Sequence, residues 1–176
     1  MEHKNYEVQV YKSSGKQNTS DLMLWVNNYI SHYSKNINRV VISSTTGFTY
    51  FQSIEYFKNL NVPIIVCCQD MNEEYSMSSE NRKKISDNGI LIDIPLKYLA
   101  KKASDESTRL LRNFSEGVKV CFEMIEFLLE SNLIEENEDI LTIAGTLKGA
   151  DTALIFKILT KKKYKVLRVL AYPEMR

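Results

Sequence analysis

Two short stretches of this chain join glycine to hydroxylated side chains at the ends of apolar runs, the combination a bound phosphate requires. The first is Ser43-Ser44-Thr45-Thr46-Gly47, and the second is Ile143-Ala144-Gly145-Thr146-Leu147-Lys148-Gly149-Ala150-Asp151-Thr152-Ala153. Only 6 of the 176 residues are glycine, about half the roughly 7% usual in proteins, so each one marks a backbone need. Gly47 lets the chain turn sharply, so that the first free N–H groups of a following helix, and its dipole, favour a negative charge. Ser44, Thr45, Thr46 and Thr49 add hydroxyl donors. On the other loop Gly145 allows close backbone approach, Thr146 and Gly149 extend the small-residue run, and Lys148 could supply a compensating charge.

Each stretch also has an ordinary structural reading. Ser43 to Gly47 can be a helix N-cap. Gly145 and Gly149 can be turn residues before an antiparallel strand, with Asp151 and Thr152 as partners for nearby backbone. Neither loop has the Walker spacing, and Gly-x-Gly-x-x-Gly is absent. The adjacency of the two loops in the fold is what would make them one site.

Few other residues suggest chemistry. His3 and His32 give no Ser-His-Asp or Cys-His arrangement. Cys67, Cys68 and Cys121 lie in apolar segments, lack C-x-x-C spacing and read as buried free thiols, with no zinc site. Asp151 is the one acid in the phosphate-like stretch, better suited to orienting loop donors than to acting as a general base. Glu135 to Asp139 reads as a solvated acidic connection.

The elements that must position the loops follow from hydrophobic period. Glu7 to Tyr11 alternates as a short strand, and residues 19 to 34 have helical spacing after capping residues Asn18, Thr19 and Ser20. Residues 39 to 44, 62 to 68 and 90 to 94 are β-branched, continuously apolar strands suited to a parallel sheet covered on both faces. Between them lie a helix from Gly47 to about 60, a polar loop from Gln69 to Ser78 and a short surface helix over 80 to 87. Leu96 to Lys102 forms a further turn of helix. Residues 105 to 132 carry a long amphipathic stripe of Leu111, Phe114, Val118, Cys121, Phe122, Ile125, Leu128 and Leu129. Gly117 breaks that run, either as a join between two helices at Ser115 to Gly117 or as a place where something approaches one helix closely. A strand over 139 to 144 and a hairpin of 153 to 159 with 164 to 172 complete one α/β domain over residues 1 to 176.

The βαβαβ run places helices on both faces of a parallel sheet. If the strand at 140 to 144 lies on the free side of the strand at 40 to 44, their loops meet at a topological switch point, where open α/β sheets bind ligands.

The balance of 23 basic and 22 acidic residues, a formal charge of +1, provides no global field for nucleic acid or an anionic membrane. An anion must therefore be held locally. The N-terminal residues lack the apolar core of a secretion signal, so a cytoplasmic location is expected. A homo-oligomer is consistent with aromatics such as Tyr50 or Phe51, read as exposed.

The loop residues, with Gly117-Val118-Lys119-Val120-Cys121 and with Asn18-Thr19 after Gly15, resemble the stand-alone relatives of the pyruvate kinase C-terminal α/β domain. The resemblance spans most of the chain and is most specific from Gly145 to Ala153. It implies a three-layer α/β/α fold with a mostly parallel mixed sheet, and it brings Gly117 into the proposed site. It also implies a phosphorylated ligand, flavin mononucleotide (FMN) in the stand-alone family and a sugar phosphate in pyruvate kinase. Kinase activity is not implied. Where the flavin-bearing family has a His-Thr-Gly-Phe stretch this chain has Gln69-Asp70-Met71-Asn72, and the segment from Pro95 to Asn113 is shortened; both changes would remove contacts to a flavin ring. The expected function is a binding or sensing domain for a phosphorylated small molecule, with FMN the candidate ligand. The alternative is a flavin-dependent oxidoreductase.

Overall fold

Alternation along the central strands splits the core between two faces of one sheet. The computed structural model describes residues 6–33, 36–69, 76–103, 105–146 and 148–174, with the Tyr33 and Ala103 side chains left aside. His3, Asp70 to Asn72 and Leu147 lie outside the described residues. Val40, Ile42, Leu141 and Ile143 point to one face, against Leu22, Met23, Val26 and Phe57. Val41, Ile65, Ile140 and Ala144 point to the other, against Val118, Cys121, Met124, Ile125 and Leu128. Both faces of these strands are buried, as continuous apolar runs require.

The strands are β1 (Gln9–Tyr11), β2 (Arg39–Ser43), β3 (Ile64–Gln69), β4 (Ile90–Ile94), β5 (Asp139–Ala144), β6 (Thr152–Thr160) and β7 (Lys163–Pro173). They form a seven-stranded sheet in the order β1-β7-β6-β5-β2-β3-β4. β5, β2, β3 and β4 are mutually parallel. β6 turns back antiparallel to β5, β7 returns along β6 as a hairpin, and β1 joins the edge parallel to β7. The helices are α1 (Thr19–Tyr33), α2 (Phe48–Phe57), α3 (Ser79–Ser86), α4 (Leu96–Ala103), α5 (Glu106–Phe114) and α6 (Glu116–Glu130). The side chains of α1 and α2 join the first face, and a smaller cluster of Tyr50, Val66, Cys68, Met77 and Ile85 extends it over α3. The second face is covered by α6, with Tyr98 and Leu99 of α4 and Leu111 of α5 beside it. The α/β fold with its mixed, mostly parallel sheet and terminal hairpin is therefore observed.

Pairing of Ile42 with Ile143 fixes β5 beside β2. The chain leaves β2 through α2 on one face and reaches β5 from α6 on the other, so the connections diverge between these strands. The expected switch point is present, with both loops at its carboxyl edge.

Two expectations are corrected. Tyr50 is 2% exposed and belongs to the α2–α3 core, and Phe51 is half-buried, so neither offers the open aromatic surface expected for an oligomer. The second correction is Phe114: the amphipathic run at 105 to 132 is two helices joined at Ser115, one of the two accounts left open by the sequence. Ser115 adopts extended backbone and caps α6 by accepting a hydrogen bond from the Val118 N–H at 3.0 Å. This break directs Phe114 outward, 54% exposed, although its spacing had placed it on the buried stripe. The join is the account observed, and the close approach occurs at it: Gly117 lies one residue inside α6, and a Cβ there would be 2.3 Å from Thr152 Oγ1 and 2.9 Å from Asp151 Oδ1.

Among the described residues no helix is long and apolar enough to cross a membrane.

Candidate functional site

The loop after β2 is held mainly by its backbone and by the buried Ser44 side chain. The Ser44 N–H donates to the Cys67 carbonyl at 2.9 Å, and the Thr46 carbonyl accepts from Asn81 Nδ2 at 3.1 Å. Gly47 adopts the left-handed conformation, with φ of 91°, and starts α2 without a side-chain cap. Tyr50 N–H donates to Ser44 Oγ at 3.3 Å and Phe51 N–H to the Gly47 carbonyl at 3.0 Å. The N–H groups of Phe48 and Thr49 at the helix start have no partner within the helix. Ser44 thus supports the loop from below, and the N-cap reading of Gly47 and the anion reading describe the same geometry.

The second loop is built around Asp151, which is fully buried. Its Oδ2 accepts from Gly15 N–H at 2.9 Å and Thr146 N–H at 3.2 Å, and its Oδ1 accepts from Thr152 Oγ1 at 2.8 Å. Ala150 N–H donates to Thr19 Oγ1 at 2.9 Å, and that hydroxyl donates to the Lys16 carbonyl at 2.8 Å. One carboxylate and one hydroxyl therefore tie the 3-10 turn at Lys16–Asn18 to the loop after β5. The glycines serve this closure. A Cβ on Gly145 would lie 2.3 Å from the Gly149 carbonyl oxygen, and one on Gly149 would lie 2.4 Å from Thr19 Oγ1.

Between the loops the surface opens into two hollows that share Ser43, Thr45, Thr46, Gly145 and Lys148. The smaller, about 340 Å³, is completed by Lys16, Ser44, Phe48, Thr49 and Gly149. Lys16 Nζ lies 4.3 Å from the centroid of the Phe48 ring, and neither Lys16 nor Lys148 forms an ion pair among the described residues. Two exposed ammonium groups, hydroxyls and the first turn of α2 thus surround one space. This is a donor-rich environment, suited to a polyanionic group.

The larger hollow, about 840 Å³, extends over the opposite face toward α4 and α6. Its wall is largely apolar, with Ile94, Leu96, Leu99, Val120 and Met124, and Glu116, Lys119 and Glu123 of α6 face it. Lys119 Nζ lies 2.7 Å from Glu116 Oε1 and 3.0 Å from Glu123 Oε2, with side chains 11% exposed for Lys119 and 6% for Glu123. Burial pushes the Glu123 carboxyl above its ordinary range, against the opposing pull of Lys119. Burial also disfavours charge on Glu116, but hydrogen bonding and attraction from Lys119 and Arg112 outweigh it and hold that carboxyl below its ordinary value.

The structure brings Ser44, Thr45, Thr46, Thr49, Gly145, Lys148 and Gly149 around the smaller hollow, and Thr146 around the larger. Gly47, Gly117, Asp151 and Thr152 line neither hollow. Gly47 starts α2, Asp151 holds the loops, and Gly117 makes room for Thr152. Sequence reasoning missed Lys16, on the loop between β1 and α1, and the Glu116–Lys119–Glu123 cluster. Spacings of three and four residues beside the Val118–Cys121–Ile125 stripe were the available signal for that cluster. His32 is exposed, and the three cysteines are buried and form no disulfide among the described residues. No group of three or more metal-binding side chains occurs among the described residues. No family model matches this chain.

Proposed function

We propose that the protein binds a phosphorylated small molecule across the β2–β5 switch point and acts as a binding or sensing domain. The phosphate occupies the smaller hollow between Lys16 and Lys148, and the rest of the ligand extends over Gly145 into the larger one. The observation that carries this reading is the pair of confluent hollows, one lined by unpaired cations and the start of α2, the other apolar. A phosphate alone would need only the first.

FMN, the ligand suggested by family resemblance, fits this division. Lys16, Thr45, Thr46 and Lys148 would hold its phosphate, while Leu96, Leu99, Val120 and Met124 would face its ring. The apolar wall beside a cationic hollow also favours a second reading, a flavin-dependent oxidoreductase, in which the bound flavin supplies electron and hydride transfer.

The test is a thermal-shift screen of phosphorylated metabolites and FMN, followed by calorimetry on the ligands found. Lys16→Ala and Lys148→Ala are each expected to weaken binding by about 3- to 10-fold, the loss of one charge-assisted contact near the surface. Unchanged affinity in the double variant refutes the phosphate assignment. For the second reading, a visible flavin spectrum that bleaches on adding a nicotinamide nucleotide is expected; a bound flavin that such a nucleotide does not reduce refutes it.

A further inference from the structure

The two edges of the sheet meet solvent differently. At one end β1 is short, β7 carries Lys163, Lys165 and Arg168, and the register of β7 against β6 is irregular. Short strands, cations and broken register keep an edge from pairing with another chain. At the other end β4 has none of these devices. Its five residues, Ile90-Leu91-Ile92-Asp93-Ile94, follow β3 in unbroken register. Asp93, the one charge in the strand, is engaged by both terminal nitrogens of Arg82. The backbone groups of β4 that point away from β3 have no partner among the described residues. Ile90 at its start and Leu96 just past its end are 42% and 44% exposed.

We infer that β4 is a homodimer interface, pairing antiparallel with β4 of a second copy about a two-fold axis and joining two seven-stranded sheets into one continuous sheet. The register follows from symmetry. An axis perpendicular to the sheet pairs residues of the same face only, and centring it on Ile92 overlaps the whole strand. Ile90 then lies opposite Ile94 of the second copy and beside its Leu96, so the exposed residues at the two ends cover one another. Leu91 lies opposite the Asp93 carboxylate that Arg82 already neutralises. Centring on Asp93 would instead oppose two like charges, and centring on Leu91 would leave Ile94 unpaired. Charge fits the same axis. Asp87 and Lys97 are equally distant from Ile92 along the chain, both are exposed, and neither forms an ion pair among the described residues. The axis brings the Asp87 end of each copy to the Lys97 end of the other. About four to six N–H···O=C bonds would close the edge. A second copy is favoured over a foreign strand because β4 and its flanks supply their own apolar and charged complements. The β7 edge would set Lys163, Lys165 and Arg168 against one another.

Sedimentation equilibrium on the full chain, with no ligand added, tests the pairing. A mass twice the 20.4 kDa of one chain is expected at micromolar concentrations, falling toward that of one chain on dilution. Ile90→Lys sets a charge against Ile94 and Leu96 of the second copy and should weaken the dimer about tenfold or more. Asp87→Lys makes two symmetry-related pairs repulsive and should weaken it by about 3- to 10-fold. Combining Asp87→Lys with Lys97→Asp should restore it, which no purely structural role of either residue would do. Val166→Lys, near the opposite edge and at a position 37% exposed, should leave the dimer unchanged. Hydrogen exchange of the β4 amides should slow as concentration rises. Circular dichroism checks that each variant folds; should Ile90→Lys fail to fold, the charge exchange at Asp87 and Lys97 carries the comparison. A monomer at every concentration overturns the inference and leaves the edge to a strand from another protein. So does a dimer that folded Ile90→Lys or Asp87→Lys leaves as tight as before, that the exchanged charges do not restore, or that Val166→Lys dissociates.

Discussion

Replacing Asp151 tests the joint on which both loops depend. Its two oxygens accept three hydrogen bonds, from Gly15 and Thr146 backbone and from the Thr152 hydroxyl. In Asp151→Asn the amide oxygen can take the place of Oδ2 and keep both backbone bonds, while the amide nitrogen donates to Thr152 Oγ1, whose own proton can turn toward Ser115 Oγ at 3.5 Å. What is lost is charge assistance, about 1 kcal/mol for each backbone bond and so about 2 kcal/mol in all. Asp151→Ala strands all three donors. Water can reach Gly15 and Thr146, where the bonds are only partly buried, whereas the buried Thr152 hydroxyl is left with only its long 3.5 Å contact to Ser115 Oγ. A loss of about 4 kcal/mol follows. At about 2–4 °C per kcal/mol for a chain of this size, the melting temperature should fall by about 4–8 °C for Asn and about 8–16 °C for Ala. Urea unfolding followed by circular dichroism, with unchanged m values, reads the free energies directly. A cost below about 1 kcal/mol for Ala would refute the claim that Asp151 organises the loops. Equal costs for Asn and Ala would show that charge, not the set of accepted bonds, is what matters.

Two further outcomes follow from the helix that faces the larger hollow. Gly117→Ala should destabilise by about 1–2 kcal/mol in urea, because overpacking against Thr152 and Asp151 outweighs the gain of about 1 kcal/mol in helix propensity; a more stable variant would mean that β6 yields easily. Glu123→Gln should be more stable than the parent at neutral pH, with the difference shrinking toward acid. The folded state holds the Glu123 proton more tightly than the unfolded chain does, so this group's favourable contribution is complete below the unfolded pKa and is lost as pH rises through the folded one. Glu116, Lys119 and Arg112 face the same carboxyl and are unchanged in the variant, so subtracting the two melting curves from about pH 4 to about pH 8 isolates Glu123. A difference that is flat, or largest at acid pH, contradicts the raised carboxyl.

The sheet could be read from the sequence because its central strands are continuously apolar and β-branched, a pattern that suits a sheet covered on both faces. Val40 to Ile42 and Ile140 to Ile143 show this most directly, and the adjacency of their loops followed from topology. The position of Phe114 was not legible, because helical periodicity does not register a one-residue break such as Ser115. Tyr50 failed for a related reason: an aromatic just inside a helix start looks exposed until α3 covers it. The glycines were correctly located as backbone needs, but the objects they approach, Gly149, Thr19 and Thr152, lie far along the chain or across a loop. Glu116, Lys119 and Glu123 resemble a solvated helix face in sequence, and only the packing of α4 and the end of β4 around the hollow reveals their burial.

The bond from Gly15 to Asp151 joins residues 136 positions apart, and β1 adds to the sheet only after β7 is in place to receive it. Contacts of such long range carry a large closure entropy and tend to form late. Lys16 is carried on that same segment, so the smaller hollow gains its second cation only when the last long loop closes. An anion bound between Lys16 and Lys148 therefore fastens contacts absent from an early transition state, and its stabilisation should be felt as slower unfolding and not as faster folding. On the proposed reading, an anion in the smaller hollow would lengthen the lifetime of the closed sheet, and protection from proteolysis near Gly15 on adding it is the expected sign.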